Sequence, residues 1–317
     1  MAENETLYDT EQSFGTGFQH CIACGSEEIG LWRSKSFAAS AQSDIRSFAI
    51  HRCARCGSGF LNPPPSSSYL RKVYAVSGHG LTRPITLEEV EKGERLFPNA
   101  TVDAERMARL VDKANLSDSR RAIDIGAGYG FGTRALTRLG YAVTAINPST
   151  LEGAVFQAMN GFSPVPRMFE DYVPDGRFGA AYLSQVLEHV VDPLPVLKQV
   201  AELLEPGGAV VIAVPNFRSL MVKLLGTRDN SCLWVPEHVN YFTMDGLAAL
   251  LRQAGLSVVA SANVSRIRYN ALSRRLRLRG TAERAARSAV KWLQRPPVFL
   301  ADRLGWGIYL NIVATKP

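Results

Sequence analysis

Long apolar runs are missing from this chain of 317 residues. The longest, Ala209–Val214, is far shorter than the roughly 20 residues a membrane-spanning helix needs. The opening Met-Ala-Glu-Asn-Glu is acidic and has no apolar stretch behind it, so no signal peptide is read and a cytoplasmic location is expected. No internal repeat is visible, which excludes solenoids and propellers. Histidine and cysteine are scarce, at five residues each, so each one bears scrutiny. What remains is an ordinary globular composition, 46% apolar and 21% charged, on a chain longer than one typical domain. One large domain with a small companion is expected.

Four of the five cysteines are ordered. They form Cys21-Ile-Ala-Cys24-Gly25 and Cys53-Ala-Arg-Cys56-Gly57, with 28 residues between the pairs, while Cys232 stands alone. Two such knuckles suit tetrahedral thiolate coordination of Zn²⁺, each glycine allowing the tight turn that frees backbone N–H groups for the sulfurs. Disulfide pairing conflicts with a reducing cytosol, and a redox pair would not call for two matching copies. With all four positions filled the metal would be structural, stapling a ribbon over residues 19–61. Residues 1–18 read as a loose N-terminus, and 62–100, opening on Asn62-Pro-Pro-Pro, as a linker or cap.

From residue 101 onward, strand and helix signals alternate, as a doubly wound α/β sheet requires. Strands are expected at Ile123–Ile125, Ala142–Ile146, Val165–Met168, Ala180–Leu183 and Ala209–Val214, with a closing hairpin from Leu256–Ala260 and Ile308–Val313. Helices are expected over Leu151–Asn160, from Pro193 to a stop at Glu205-Pro-Gly-Gly208, and after a Thr243 cap. Residues 215–242 form a long insert placed to act as a lid.

The first of these strands runs into Asp124-Ile-Gly126-Ala-Gly128-Tyr129-Gly130-Phe-Gly132. A dinucleotide loop needs Gly-x-Gly-x-x-Gly/Ala directly after the strand, and only Gly130-x-Gly132-x-x-Ala135 fits, too late in the chain. The acidic-x-Gly-x-Gly-x-Gly pattern instead resembles the first motif of the class I S-adenosylmethionine (SAM)-dependent methyltransferases. That resemblance implies a Rossmann-like doubly wound sheet and a SAM site, with Asp124 toward the ligand's ammonium and the bare backbone of Gly126, Gly128, Tyr129 and Gly130 along its methionine part. The segments Leu183-Ser-Gln-Val-Leu-Glu-His-Val-Val-Asp-Pro193, Leu203-Leu-Glu-Pro-Gly-Gly208 and Pro236-Glu-His-Val-Asn-Tyr-Phe-Thr243 extend the likeness to the ubiquinone-type O-methyltransferases. Joined to the cysteine knuckles, the chain is similar to zinc-ribbon methyltransferases of polysaccharide and secondary-metabolite pathways.

The resemblance assigns further positions. Asn147-Pro148 ends the second strand, where the family carries an acid for the ribose hydroxyls. An amide can accept one hydroxyl bond and donate another but lacks charge, so Asn147→Asp is expected to tighten binding. Glu170-Asp171 could accept the adenine amino group or form a plain solvated turn, and Ser184-Gln185 should lie beneath the ligand. Phe178-Gly179 replaces the usual Phe-Asp, and Gln185 replaces the first acid of a Glu-x-x-Glu-His divalent-metal motif, leaving Glu188 and His189, so catalytic Mg²⁺ is not expected. His189, His238 and Tyr241 are the catalytic candidates, with Trp234 as a pocket wall: a neutral imidazole can take the acceptor's proton, or His189 can tie down its loop.

Finally, Val264–Arg303 holds eleven Arg or Lys against Glu283 and Asp302, with apolar residues at helical spacing. A basic helical insert there could meet an anionic membrane, a phosphorylated substrate or RNA, or simply be solvated. The expected activity is methyl transfer to a small-molecule or glycan acceptor. An RNA methyltransferase and a weakened SAM-binding protein are the alternatives.

Overall fold

The computed structural model describes residues 14–36, 47–76, 83–96, 99–229, 231–265 and 296–317. Most of the expected basic insert, 266–295, and most of the expected loose N-terminus, 1–13, lie outside the described residues.

In chain order the elements are β1 (Ile29–Ser36), β2 (Ser47–Cys53), β3 (Gly59–Leu61), α1 (Ser67–Val76), α2 (Leu87–Leu96), α3 (Asn99–Ala114), β4 (Arg121–Ile125), α4 (Phe131–Arg138), β5 (Ala142–Ile146) and α5 (Thr150–Asn160). They continue with β6 (Phe178–Ser184), α6 (Pro193–Leu203), β7 (Leu204–Pro215), α7 (Leu220–Leu225), β8 (Asn240–Tyr241), α8 (Met244–Gln253), β9 (Ser257–Val264) and β10 (Tyr309–Thr315). Six strands form the main sheet in the order β5-β4-β6-β7-β10-β9. β5, β4, β6 and β7 run parallel, and β10 runs antiparallel to both β7 and β9. The class I methyltransferase architecture expected from the sequence is therefore present.

Strand periodicity divides the core into two layers. Ile123, Ala181, Leu183, Val210 and Ile212 face the layer built with α6 and α8, while Ala122, Ala180, Tyr182, Ala209 and Val211 face α3 and α4. Local chemistry sets the helix starts. Asp192 caps α6 by accepting from the Leu194 N–H at 3.3 Å, with Pro193 in the first turn. Thr243 caps α8 through the Gly246 N–H at 3.1 Å.

Some elements depart from the pattern read in the sequence. Val165 makes only an isolated parallel bridge to Ile146, because the chain turns at once into the Phe169–Asp171 turn, so Val165–Met168 is not a strand. α6 ends at Leu203, and Glu205-Pro-Gly-Gly208 is absorbed into β7 as an irregularity opposite Phe178/Ala180. Part of 62–100 is α1 and α2.

The knuckles lie beside a second sheet of order β1-β2-β3-β8. Its fourth strand comes from the 215–242 insert, which thereby joins the small sheet. The ribbon is bolted onto α8: Thr243 Oγ1 donates to the Cys56 carbonyl at 2.7 Å and Gln253 Nε2 to the Ala23 carbonyl at 2.9 Å. Among the described residues no helix is long and apolar enough to cross a membrane.

Candidate active site

Strand order reverses at β4, with β5 on one side and β6 on the other, and a crevice opens beyond the carboxyl ends of such strands. A cavity of about 1450 Å³ lies there. It is larger than the space most single ligands fill, leaving room for two.

The glycine loop forms its floor. Gly126 has φ 68° and a Cβ at that position would come within 2.6 Å of Val186, while Gly130 has φ 88° and a Cβ would strike Asn160 and Phe156. These positions are left-handed and crowded at once, so side chains are excluded there. Gly126, Gly128 and Tyr129 line the cavity, and Gly130 shapes the turn without lining it. Asp124, at the end of β4, is buried and accepts from Thr133 Oγ1 at 2.7 Å. Burial pushes its carboxyl up to about 6.

Asn147 and Pro148 line the cavity as expected, but the amide of Asn147 has other partners. Its Nδ2 donates to the Gly128 carbonyl at 3.1 Å and to Glu152 Oε2 at 3.2 Å, and its Oδ1 lies 3.4 Å from the Ser149 N–H. Glu152, itself buried and in the lining, was not singled out in the sequence. Ser149-x-x-Glu152 reads as an ordinary capping box, and Ser149 does cap α5, but this carboxylate also reaches across to Asn147. A carboxylate therefore stands beside the amide that replaced the family's acid. Asn147→Asp would set two carboxylates together.

Glu170 lines the cavity. Asp171 does not, because its carboxylate is held by Arg71 at the surface. Ser184 and Gln185 form the wall after β6, and Gln185 sits at φ 59°, strained for a residue with a side chain. Its backbone N–H and its Nε2 both donate to the Ala213 carbonyl, at 2.8 and 3.2 Å, which holds the strained turn in place. Gly179 lies at the opposite end of β6, where a Cβ would meet the Ser119 carbonyl at 2.2 Å. The Phe-Gly departure thus reflects local packing far from the cavity.

At the other end of the cavity, rings cluster. Tyr74–His189, His189–His238 and His238–Trp234 make edge contacts at centroid distances of 5.2, 4.8 and 5.7 Å. His189 Nδ1 lies 2.9 Å from the Glu237 carbonyl and His238 Nδ1 lies 2.7 Å from the Cys232 carbonyl. A carbonyl only accepts, so His238 carries its proton on Nδ1, whereas His189 Nδ1 meets both a carbonyl and a hydroxyl. Tyr74 adds a 2.7 Å bond to His189 Nδ1 and donates to the same Glu237 carbonyl at 2.8 Å. Burial drives His238 down to about 4, so it is neutral at pH 7, and drives the fully buried Glu188 up to about 8. Glu188, His189 and His238 each bring one polar atom within 4.8 Å of the others, and neither Glu188 oxygen has a hydrogen-bond partner among the described residues. Tyr241 is not in the lining. It is buried beneath, its hydroxyl donating to the His238 carbonyl at 2.7 Å, so it braces the histidine instead of facing the cavity. Tyr74, Lys35 and Glu237 line the cavity without any sequence signal, since only the fold brings α1, β1 and the insert to its mouth.

In the ribbon, Cys21 and Cys56 sulfurs are 3.6 Å apart, as are those of Cys24 and Cys53, and all four lie within 4.8 Å of one another. Tetrahedral Zn–S bonds of about 2.3 Å imply sulfurs about 3.8 Å apart. Gly25 and Gly57 turn at φ 71° and 75°, and Cys56 N–H points to Cys53 Sγ at 3.5 Å. The donor set fits a structural zinc.

With this geometry in hand, relatives are informative. A family model described as a methyltransferase domain matches residues 100–261, half of the chain. A ubiquinone biosynthesis O-methyltransferase of Pseudoalteromonas translucida is 29% identical over 188 residues, covering 55% of this chain and 77% of that protein. One of the same description from Xylella fastidiosa is 30% identical over 170 residues, covering 50% and 68%. Among solved structures, the CcbJ methyltransferase of Streptomyces caelestis superposes with TM-score 0.44 at 15% identity over 68% of this chain and 95% of that one.

Proposed function

The chain belongs to the methyltransferase-domain family and is a SAM-dependent methyltransferase, and from that premise we propose that it methylates an oxygen of a small, ring-bearing acceptor. Bound SAM supplies a methyl group on a cationic sulfur. The chain's own part is to hold, align and deprotonate.

On this reading Asp124 meets the ammonium, the bare Gly126–Gly128 backbone runs along the methionine part, and Glu152, with Asn147 between, serves the ribose hydroxyls. Glu170 is the candidate for the adenine amino group. The acceptor occupies the ring-walled end, and His189 Nε2 takes its proton. The resulting imidazolium keeps its Nδ1–H on the Glu237 carbonyl, and Tyr74 fixes the ring's plane. His238, neutral and immobilised by Cys232 and Tyr241, forms a wall and a second acceptor nitrogen.

One observation carries the proposal: a single cavity joins the glycine loop to two imidazoles, His189 and His238, that meet edge to edge at its other end. The O-methyltransferase description of the relatives supports an oxygen acceptor. Ring walls suit a compact acceptor better than an RNA strand. The four cysteines are proposed to hold one structural Zn²⁺.

The test is S-adenosylhomocysteine release from SAM with a panel of hydroxylated aromatics and glycans. A methyl ether formed by the wild type and lost in His189→Gln supports the reading. Turnover confined to an amine or a nucleic acid would overturn it.

A further inference from the structure

Fourteen large apolar side chains are exposed among the described residues, and half of them sit on, or directly after, two short helices that meet at Trp306. α7 reads Leu-Met-Val-Lys-Leu-Leu, apolar on nearly every side, yet only Val222 is buried. Leu220, Met221, Leu224 and Leu225 face outward, Leu224 at 72% exposure. The second helix, over 296–303, and the residue after it present Phe299, Leu300 and Leu304. The Leu220 N–H donates to the Trp306 carbonyl at 3.0 Å, and Lys223 Nζ lies 4.1 Å from the Trp306 ring centre, so the helices are fixed side by side. A helix apolar all round belongs in a core or against lipid, and a monomer rarely leaves so much exposed without a partner.

The charge around these residues has one sign. Lys223 and Arg303 are exposed on these two helices and Arg228 on the turn that follows α7, whereas Asp302 is turned inward to accept from Ser265 Oγ at 2.6 Å and Ser265 N–H at 3.2 Å. The same contact sets Ser265 beside the second helix. The sequence of residues 266–295, which lie outside the described residues, holds ten Arg or Lys against Glu283 alone. A second copy of the surface would bring like charges together. Apolar side chains framed by cations match an anionic bilayer, whose interface takes both.

We propose that α7 and the 296–304 segment form a docking surface for an anionic lipid membrane. α7 leaves the carboxyl end of β7, the edge on which the cavity opens, and Ser231 and Trp234 just beyond it line that cavity. Docking therefore turns the acceptor end toward the bilayer, where an amphiphilic acceptor would partition. The surface does not depend on the methyl-transfer reading, and its test needs no turnover.

The experiment is sedimentation of the full chain with vesicles of phosphatidylcholine alone or mixed with phosphatidylglycerol. Binding should favour the anionic vesicles by at least about tenfold, since each surface cation contributes about fivefold, and should weaken with salt. The double variant Leu224→Glu/Leu300→Glu should lose at least about tenfold in binding while keeping its melting temperature. Leu116→Glu, an exposed leucine beside Gly207 at the opposite edge of the sheet, should bind like the wild type. No binding to either vesicle would overturn the proposal, as would binding unchanged in the double variant. So would a dimer dissociated by these substitutions, or a lowered melting temperature without vesicle binding, which would assign the surface to the chain's own residues 266–295.

Discussion

Replacing Asn147 with aspartate restores the acid expected at the end of β5, yet it should impair the protein. Asn147 Nδ2 donates two buried bonds, to the Gly128 carbonyl and to Glu152. Aspartate removes both donors, a loss of about 1 kcal/mol each before the stranded acceptors are counted. It also sets a second carboxylate close to that of Glu152. At about 4 Å and an effective dielectric near 20, the repulsion is about 4 kcal/mol. The pair can relieve this repulsion by sharing a proton. Asn147→Asp should therefore lose up to about 6 kcal/mol of unfolding free energy at pH 8, regain much of it near pH 6, and bind S-adenosylhomocysteine more weakly at pH 8 than the wild type. Adding Glu152→Gln exchanges amide and carboxylate and should recover most of both losses, a coupling that a double-mutant cycle reads directly. Urea unfolding and calorimetric titration at both pH values are the assays. Tighter binding at pH 8 from Asn147→Asp alone, with stability unchanged, would show that the two side chains do not share the site as described.

Metal analysis should return about one zinc per chain, and a strong chelator should lower the melting temperature, because the ribbon packs on α8; a metal-free protein of unchanged stability would refute the ribbon's role. The Asp124 carboxyl, raised to about 6 by burial, is protonated below that pH in the free protein, so affinity for S-adenosylhomocysteine should fall up to tenfold per pH unit below about 6. Its raised pKa also means that ionisation costs stability as pH rises from the usual carboxylate range through about 6. Asp124→Asn should thus be more stable at pH 7 while binding more weakly and without that pH dependence. His189→Gln should lower kcat by about 10²-fold or more with ligand affinity retained; a fall in affinity with kcat intact would make His189 a binding residue only.

Legibility in the sequence followed the locality of the interactions. The knuckles and the glycine loop are dictated within a few residues, by sulfur spacing and by backbone that tolerates no Cβ, and both stand where their patterns put them. Asp192 and Thr243 likewise announce their helices through single hydrogen bonds. Long-range partners left no such trace. β8 pairs with β3 across at least 180 residues, and that pairing brings the insert beneath the ribbon, where Tyr241 is buried. Tyr74 meets His189 across 115 residues. Glu152 was hidden by a local role, since a residue that completes a capping box looks explained. Asn147 was read against the family's acid, and its actual partner is one turn away in α5.

The cavity beyond β4 is proposed to bind the methyl donor through the glycine loop. Calorimetric titration of the zinc-loaded wild type with S-adenosylhomocysteine tests it most directly, with Gly126→Val, which drives a side chain into Val186, as comparison. One binding site per chain is expected in the wild type, and loss of binding in a folded Gly126→Val variant. Absence of binding heat in the wild type at several temperatures would contradict it.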